Sequence, residues 1–528
     1  MIIHKEQIDC ILPDGTPSKK LLVSYVDKEG DIKFLQYPIP KDQMFEWKYT
    51  NRANADKPFH EYDFATGQYK FNEDGTPVMR QWMSYDNKWV RRHAVDKLPE
   101  LRLNEILNSF GSAIDPLFEM NIPNTWWCDI EVEVSEDGFP DPEEATTRIN
   151  TISMTQFPRT IIWARKALTI EEQEWVQKSI DEYSEKNNGT DITKGYKFEF
   201  RYFPTEKEML EDYVDFITPI TAMSGWNFLG FDWLYIYNRC KINDIDIERI
   251  SPTRNFTTFK ITPRSGGKTI NVKIPYHKII YDYLLVYKTW DMIINPKENN
   301  TLDFVAEKAL KINKVNHPWG FKEFFEDHYK EYVFYNCIDT ILVEHIDKFL
   351  KTAEIWYMIA CVLRLELNVA FSTIQPTHVV MCNFEYPHYK VIPDKKGISQ
   401  KDVDYQGAFV WPTRPGIYKY IGGLDFASLY PSIMRQFGIS PETFLFKDEV
   451  IVGYDKDNKP ITKVGDYVPK DDEIKTCSGA VYKKDPDALM PAILTHYYAL
   501  RKAAKVDKKI ANTEYEELKV ILERRKGL

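Results

Sequence analysis

The stretch NTWWCDIEVEV, residues 124–134, predicts a strand that opens one of the domains of this chain. Its aromatic and β-branched residues favour a strand, and the residues at 126–128 indicate that it enters a core. Asp129 and Glu131 are two residues apart, so their side chains lie on one face of the strand. Because neighbouring carboxylates repel each other unless a cation lies between them, the pair favours a divalent-metal site. Glu133 shares that face, and a solvated strand face would show the same spacing.

Two further acids stand in patterns that suit the same kind of site. Asp232 follows the glycine-containing loop 225–231 and opens a predicted helix, where it could instead be a simple N-cap. Asp339 follows Tyr335 by four residues, so both side chains point the same way on the long helix predicted over residues 331–363. A phenol beside a carboxylate can position a metal-bound water. The alternative for Asp339 is an acid exposed on the helix surface.

A second stretch whose residues suggest a catalytic or binding role is LDFASLYPSI, residues 424–433. It predicts a strand that ends at Asp425, a tight turn, and a helix with Pro431 in its first turn. Free backbone N–H groups at the start of a helix attract phosphate. The stretch therefore offers a metal-binding carboxylate beside a place for a triphosphate. The alternative is a buried turn in which Asp or Ser caps the helix.

Composition indicates a multidomain globular protein. The chain has 528 residues, 43% of them hydrophobic, which is enough for about three to five domains at roughly 100–200 residues each. The net charge of −10 argues against a uniformly basic DNA-coating protein, although local basic grooves stay possible. The seven cysteines never form C-x-x-C, which argues against a disulfide framework or a structural zinc site and favours the cytosol.

Three further segments have interpretable patterns. The apolar run at 355–371 is interrupted by Arg364 and Glu366, which favours a buried helix over a membrane span, and the first residues show no apolar signal segment. KLLVSYVD (20–27) and IKFLQYPI (32–39) predict one hairpin. The alternating residues on both sides of Ser265–Gly267 predict another.

The order of the acid motifs resembles that of a known family. D-I-E, then N-x-x-x-F-D, then Y-x-x-x-D are similar to the three exonuclease motifs of family B DNA polymerases, and residues 424–433 resemble their polymerase motif A. Three local sequences are similar to those of replicative polymerases of T-even-type bacteriophages, namely DIEVEVSEDGFPDP, GWNFLGFDWLYIYNR and YNCIDT. The resemblance covers nearly the whole chain, but only the first part of a complete family member.

This resemblance implies a multidomain fold of the α+β and α/β classes. The expected parts are a mixed N-terminal domain, a ribonuclease-H-like 3′–5′ exonuclease domain with a mixed sheet, part of a ferredoxin-like palm, and the start of helical fingers. Their expected bounds are 1–123 (joined by 353–397), 124–352, 398–487 and 488–528.

The resemblance also implies roles for the acids. Four acids would hold two Mg²⁺ or Mn²⁺ ions, namely Asp129, Glu131, Asp232 and Asp339. Two such ions neutralise a phosphodiester, activate water and stabilise the leaving 3′ oxygen. Tyr335 would orient the attacking water. The hairpin around Ser265–Gly267 stands where phage members have one that helps to separate the primer end from the template.

The motif A stretch would form half of a nucleotidyl-transfer site. The resemblance implies that Asp425 and the Phe426 carbonyl bind metal, with two ions held only when a partner completes the site. Ser428 and Leu429 would hold the triphosphate of an incoming dNTP. Tyr430 would pack under its sugar and exclude a 2′-hydroxyl.

Two more pairs of residues have implied contacts. Tyr405 and Gly407, in YQGA, resemble the family's link that touches the template strand, although an ordinary glycine turn has the same pattern. Arg501 and Lys505 lie four residues apart on one helical face, like the fingers arginine and lysine that reach the triphosphate. A salt-bridged solvent face is the alternative for that pair.

The sequence therefore predicts the N-terminal portion of a replicative DNA-directed DNA polymerase with a proofreading exonuclease. No KxxxNSxYG and no YxDTD segment is present, so a C-terminal chain with motifs B and C is expected to complete it, from a split gene or because this chain is a fragment. Expected partners are primer–template DNA, single-stranded 3′ ends, dNTP and replisome proteins such as a sliding clamp, in the host cytoplasm and without a membrane. The alternatives are a free-standing DNA exonuclease with a vestigial palm, and a non-catalytic nucleic-acid-binding or assembly subunit.

Overall fold

The computed structural model describes most of residues 1–526. The residues that it does not describe are 14, 51, 65, 67, 86–87, 135–139, 263–268, 292, 295–297, 369, 371–374, 386–410, 427, 455–459, 486 and 527–528. Tyr405, Gly407 and the hairpin tip Ser265–Gly267 therefore lie outside the described residues.

The chain forms two compact units, each made of three stretches. The first consists of Met1–Glu46, Pro58–Gln81 and Arg92–Pro376, and the second of Trp47–Lys57, Trp82–Arg91 and Thr377–Leu528. All four acids of the predicted exonuclease site lie in the first unit, and the Asp425 stretch lies in the second. The four expected domains with their bounds stay a prediction.

The strands and helices are numbered in chain order. The strands are β1 Ile2–Ile11, β2 Pro17–Val26, β3 Ile32–Pro38, β4 Phe45–Thr50, β5 Phe59–His60, β6 Tyr62–Asp63, β7 Gln68–Tyr69, β8 Met79–Arg80, β9 Met83–Tyr85, β10 Lys88–Ala94, β11 Thr125–Val132, β12 Ile149–Gln156, β13 Arg159–Ala164, β14 Lys197–Tyr202, β15 Ala222–Gly225, β16 Phe256–Ile261, β17 Ile270–Pro275, β18 Ile279–Asp282, β19 Phe444–Lys447, β20 Glu449–Tyr454, β21 Pro460–Val464, β22 Glu473–Lys475 and β23 Ala480–Lys483. The α-helices are α1 Arg52–Ala55, α2 Glu100–Asn108, α3 Ile170–Asn188, α4 Glu206–Ile217, α5 Asp232–Ile242, α6 Tyr283–Trp290, α7 Leu302–Leu310, α8 Phe321–Asp327, α9 Tyr329–Leu350, α10 Thr352–Val362, α11 Gln375–Glu385, α12 Leu429–Phe437 and α13 Leu489–Lys526. Short 3₁₀ helices span Lys41–Gln43, Gly111–Phe118 and Ile247–Ile250.

A six-stranded mixed sheet forms the centre of the first unit, in the order β14–β13–β12–β11–β15–β18. β11 pairs antiparallel with β12 and parallel with β15, and β15 pairs parallel with β18. The predicted mixed sheet and the mixed α/β class are therefore confirmed.

The two faces of this sheet differ in chemistry, because side chains alternate along each strand. Ile130 and Met154 point to one face and belong to a buried apolar cluster that includes residues of α4 and α5. Asp129 on β11 and Ser153 on β12 are paired residues that point to the other face. That second face is polar and meets α9, where the Ser153 hydroxyl lies 3.1 Å from the Thr340 hydroxyl.

The prediction of one long helix over residues 331–363 is wrong, because the structure has two helices there. α9 ends before Lys351, whose φ of 54° lies in the left-handed region, and α10 begins at Thr352. The Asp347 carboxylate accepts a hydrogen bond from the Ala353 backbone N–H at 3.1 Å, which satisfies a donor at the start of α10. A helical residue pattern continues through this break, so the pattern alone does not reveal it.

Both predicted hairpins of the first unit are formed as strand pairs. β2 and β3 pair antiparallel, with β1 on the other side of β2, and β16 pairs antiparallel with β17. The β1 residue Lys5 forms a buried ion pair of 2.5 Å with Glu366, and His4 lies 3.3 Å from the same carboxylate. Glu366, which interrupts the apolar run at 355–371, is thus a buried residue with cationic partners.

The second unit contains α12, the long helix α13 and small antiparallel strand pairs. α12 is held to α13 by Arg435, whose Nε donates to the Thr495 hydroxyl at 3.1 Å. The strand predicted to end at Asp425 is not formed: residues 421–426 have no regular secondary structure. A strand needs a hydrogen-bonded neighbour, and none of the described strands pairs with this segment.

In the part of the chain that the structure describes, none of the helices offers an apolar run that could span a bilayer.

Candidate active site

Three of the predicted acids come together beside the central sheet. One carboxylate oxygen each from Asp129, Glu131 and Asp339 lies within 4.8 Å of the other two. Asp129 and Glu131 stand on β11, and Asp339 stands on α9. Glu131 is 8% exposed, Asp339 is 3% exposed, and Asp129 is half-buried. These values exclude a solvated strand face for the pair and an exposed helical position for Asp339.

Asp232 joins this group through the backbone of β11. It is 4% exposed, and its Oδ1 accepts a hydrogen bond from the Ile130 N–H at 3.0 Å, between the two acids of that strand. Phe231 occupies the N-cap position of α5, so Asp232 is not the N-cap. Gly225 allows β15 to come this close, since a Cβ there would lie 2.2 Å from the Cys128 carbonyl oxygen.

Glu133 lies just after the end of β11, beyond a register irregularity between Glu131 and Val132, and has a different environment from the first two acids. It forms an ion pair with Arg165. The Arg165 guanidinium also donates to the Ile149 carbonyl at 2.6 Å and to Asn150 Oδ1 at 2.8 Å. Glu133 is therefore neutralised by a fixed cation, which distinguishes it from Asp129 and Glu131 in a way that spacing could not.

Lys314 is a site residue that sequence reasoning missed. Its ammonium lies 2.5 Å from Asp339 Oδ2 and donates to the Tyr335 hydroxyl at 2.9 Å. Its backbone N–H donates to Asp303 Oδ1 on α7 at 2.7 Å, which fixes the loop after that helix. No motif marks this lysine. The available signal was only general, namely that a buried group of carboxylates needs positive charge nearby.

Asn336 is a second residue that sequence reasoning missed. It is fully buried on α9, and its Nδ2 donates to Asp129 Oδ2 at 2.6 Å. It directly follows the predicted Tyr335, but on a helix the two side chains point in different directions.

The electrostatics of the acids favour occupation by a cation. Burial raises the pKa of Asp129, the charge of Asp339 adds to this effect, and together they bring that pKa to about 7. Burial also raises the pKa of Glu131, with further contributions from Asp129 and Asp339. Burial raises the pKa of Asp339 as well, while the charge of Lys314 opposes the rise. A bound divalent ion would stabilise the charged form of all three carboxylates.

The donor set fits Mg²⁺ or Mn²⁺. All the ligand atoms are carboxylate oxygens, which these hard cations prefer. Asp339 Oδ1 is a buried oxygen without a hydrogen-bond partner among the described residues, so it is available as a ligand.

The predicted polymerase residues of the second unit lie in a different setting. Asp425 is exposed, Phe426 is 75% exposed and Tyr430 is 73% exposed. Ser428 occupies the N-cap position of α12 with a φ of 53°, and Leu429 is the first residue of that helix. Among the described residues, the group of acids able to hold a metal does not include Asp425.

The predicted fingers pair lies on α13. Arg501 and Lys505 are both exposed on that helix, which spans Leu489–Lys526. The predicted helical C-terminal stretch is formed as α13.

Two family models match the chain. Residues 117–292 match the DNA polymerase family B exonuclease domain, and residues 367–527 match DNA polymerase family B. The first match contains Asp129, Glu131 and Asp232, and the second contains the motif A stretch. The two matched stretches are therefore family B DNA polymerase domains.

Curated relatives agree with the resemblance to phage enzymes. The DNA-directed DNA polymerase of Escherichia phage RB69 is 29% identical over 389 residues, which cover 71% of this chain and 41% of the relative. That of Enterobacteria phage T4 is 27% identical over 436 residues, which cover 78% of this chain and 46% of the relative. A DNA polymerase of Archaeoglobus fulgidus is 22% identical over 324 residues, covering 60% of this chain and 36% of the relative. The chain thus spans less than half the length of these relatives.

Proposed function

We propose that the first unit of this chain carries a 3′–5′ exonuclease with a ribonuclease-H-like domain, within a family B DNA-directed DNA polymerase. The observation that carries this proposal is the convergence of carboxylate oxygens from Asp129, Glu131 and Asp339 within 4.8 Å of one another. The match of residues 117–292 to the family's exonuclease domain supports it. The substrate is the 3′ end of single-stranded DNA or of a frayed primer.

The metal ions would be held by the four acids. Asp129, Glu131 and Asp339 offer the converging oxygens, and Asp232 is fixed beside them by the Ile130 N–H at 3.0 Å. When bound, two Mg²⁺ ions supply charge neutralisation at the phosphodiester, activation of water and stabilisation of the leaving 3′ oxygen.

Tyr335 is suited to orient the attacking water as a hydrogen-bond donor. Its oxygen accepts from the Lys314 ammonium at 2.9 Å, and its hydroxyl is also hydrogen-bonded to the Asp339 carboxylate, which places the phenol beside a proposed metal ligand. Burial, followed by the charge of Asp339, raises the pKa of Tyr335 above its usual range. The phenol therefore stays protonated at neutral pH and cannot serve as a base.

Removal of the two strand acids tests the proposal. The wild-type chain is expected to shorten a 5′-labelled single-stranded oligonucleotide stepwise from its 3′ end in Mg²⁺ or Mn²⁺. The double substitution Asp129→Ala with Glu131→Ala should lower the rate roughly 10³-fold or more, about 4 kcal/mol of transition-state stabilisation. Glu133→Ala is the matched control, since this acid follows the same strand but is paired with Arg165, and it should keep a rate close to wild type. A near-normal rate in the double variant would refute the site.

For the second unit, we propose a role in nucleotidyl transfer. Asp425 and the Phe426 carbonyl would bind metal, Ser428 and Leu429 would hold the triphosphate, and Tyr430 would pack under the sugar. Other contacts would come from Arg501 and Lys505 to the triphosphate and from Tyr405 and Gly407 to the template. The match of residues 367–527 to family B supports this proposal.

The polymerase proposal has its own test. Two-metal transfer needs more carboxylates than Asp425 alone. The separate C-terminal chain and the sliding clamp therefore stay predictions. In a complete polymerase that also contains a YxDTD segment, the Tyr430→Ala substitution should markedly increase the rate at which ribonucleotides are incorporated. Unchanged selectivity for deoxynucleotides would show that Tyr430 is not under the sugar.

A further inference from the structure

We propose that Asn336 is a positioning residue of the exonuclease site, which holds the Asp129 carboxylate in the orientation that receives a divalent cation. This inference rests on the proposed function of the four acids. It concerns a residue outside the acid and tyrosine positions of the motifs, and it follows from the hydrogen bonds on the polar face of the sheet.

The two ends of the Asn336 amide have different partners, which fixes its orientation. Nδ2 donates to Asp129 Oδ2 at 2.6 Å, and Oδ1 accepts from the Thr151 hydroxyl at 3.1 Å. A flipped amide would bring its oxygen against an oxygen of the ionised Asp129 carboxylate, where neither atom has a hydrogen to share. Because the side chain is fully buried, water cannot replace either partner without a rearrangement.

A neighbouring contact attaches the same helix to the same strand without reaching an acid. Thr340, one turn after Asn336, lies 3.1 Å from the Ser153 hydroxyl and 2.7 Å from the Thr155 hydroxyl, both on β12. Its own hydroxyl also donates to the Cys337 carbonyl. The Asn336 contact continues from β12 to Asp129 on β11, whereas the Thr340 contacts stay on β12 and α9. The two residues therefore separate attachment of the helix from control of the carboxylate.

The physical effect of Asn336 differs from that of Lys314. Lys314 brings a full positive charge to Asp339, so it stabilises the carboxylate but competes with a cation for it. The Asn336 amide is neutral. It occupies Asp129 Oδ2 and leaves Oδ1 for a metal, without repelling that metal.

Without this hydrogen bond, the Asp129 carboxylate would be free to rotate away from its neighbours. Carboxylate oxygens of Asp129 and Asp339 lie within 4.8 Å of each other, so the two ionised groups repel each other before a cation arrives. A fixed hydrogen-bond donor limits that rotation and thereby lowers the ordering cost of metal binding. The expected signature is weaker metal affinity, with a rate that recovers at saturating metal.

The test compares two isosteric substitutions on one helix face, Asn336→Leu and Thr340→Val. Mn²⁺ binding to the full chain is measured by electron paramagnetic resonance of the free ion, and the exonuclease rate is measured as Mg²⁺ is titrated. Asn336→Leu should weaken Mn²⁺ affinity and raise the half-saturating Mg²⁺ by about 10- to 100-fold, as is typical for residues that orient a metal ligand. Thr340→Val should change both by less than about 3-fold, because the Thr340 hydroxyl contacts none of the proposed metal ligands.

Two further variants keep the outcome interpretable. Thr151→Val leaves Asn336 in place but removes the hydroxyl that orients it, so it should shift both values in the same direction and by a smaller factor. This variant carries the test if Asn336→Leu fails to fold. Asp129→Ala should lose Mn²⁺ binding at this site.

Each result separates the two proposals. Wild-type Mn²⁺ affinity in Asn336→Leu, or in Thr151→Val if the first variant does not fold, combined with loss in Asp129→Ala, would overturn the role of Asn336 and leave the metal site standing. An equal loss in Thr340→Val and Asn336→Leu would overturn it too, since both would then act only through helix attachment. Unchanged binding in Asp129→Ala would overturn the proposed exonuclease site itself.

Discussion

The Asp129 site in the first unit and the Asp425 stretch in the second unit are both marked by strong motifs, but the structure surrounds them differently. Glu131, Asp232 and Asp339 are each less than a tenth exposed, and hydrogen bonds from β11 and α9 fix the site. Asp425 lies in an exposed segment without regular structure. A motif therefore supplies the reactive side chains, whereas the packing around it determines whether those side chains are already held together as a site.

The largest expected difference in exonuclease rate comes from replacing one aspartate by asparagine in each of the two regions. Asn can still accept the hydrogen bond that Asp232 takes from Ile130, so Asp232→Asn should keep the fold while removing a metal ligand. The exonuclease rate of the chain should fall roughly 10³-fold. Asp425→Asn should leave that rate within about 2-fold, as expected for an exposed change outside the cluster of acids. A rate assay on single-stranded DNA checks both, and comparable losses would contradict the assignment of separate sites.

A buried charge outside the site should matter for stability. Glu366→Gln leaves the buried Lys5 ammonium without its counter-charge, so the free energy of unfolding should fall by about 3 kcal/mol. The matched change in the second unit is Asp448→Asn, which removes a carboxylate 2.6 Å from Lys475 in a more exposed pair. It should cost less. Denaturant unfolding of the two variants measures the difference, and a larger loss in Asp448→Asn would contradict the importance of burial.

The same carboxylate gives a pH dependence of known sign. Burial alone would raise the pKa of Glu366, but attraction to Lys5 and His4 outweighs it and holds that pKa at about 2. An unfolded Glu has a pKa of about 4.3, so this stabilisation is complete above that pH and disappears as the pH falls towards 2. The stability difference between wild type and Glu366→Gln should therefore be constant from pH 7 to 5 and shrink below about pH 4.3. Unfolding curves at several pH values check this, and a constant difference down to pH 3 would contradict it.

Removal of the cation at the site should have an intermediate effect. Lys314→Met takes away the partner of both Asp339 and Tyr335, so the exonuclease rate should fall about 10- to 100-fold. Because Lys314 opposes the rise in the pKa of Asp339, its loss should also move the acidic limb of the pH–rate profile to higher pH. Lys311→Met is the control, an exposed lysine of the same loop. An unshifted profile in Lys314→Met would refute the coupling.

The smallest effect is expected on the exposed helix of the second unit. Arg501→Ala and Lys505→Ala should each change the free energy of unfolding by less than about 0.5 kcal/mol, as is usual for surface substitutions. Neither should alter the exonuclease rate. Thermal unfolding and the single-stranded DNA assay test this, and a large destabilisation would show that these side chains have a structural role.

The sequence predicted the elements whose signals are local. The strand with Asp129 and Glu131 and the start of α5 at Asp232 follow from side-chain alternation and a glycine-containing loop. The β2–β3 and β16–β17 hairpins also follow from alternation. Family resemblance added the link between Asp129 and Asp339, which are far apart in the chain but have carboxylate oxygens within 4.8 Å of each other.

The features that sequence reasoning missed depend on particular side-chain contacts that no residue pattern marks. Lys314 lies in a loop that no periodicity marks, and only its position beside Asp339 gives it a role. The break at Lys351 depends on the Asp347 carboxylate, which accepts from Ala353 rather than from solvent. The missing strand at Asp425 shows the opposite case, in which a correct local pattern lacks a neighbouring strand among the described residues.

The most direct test of the account is to locate the metal. Crystals of the chain soaked in MnCl₂ should show anomalous difference density between Asp129, Glu131 and Asp339, with metal–oxygen distances of about 2.1 Å, as hard divalent cations require. The Asp129→Ala and Glu131→Ala double variant should show no such density. Mn²⁺-supported DNA degradation by wild-type crystals that show no density at these acids would contradict the central claim.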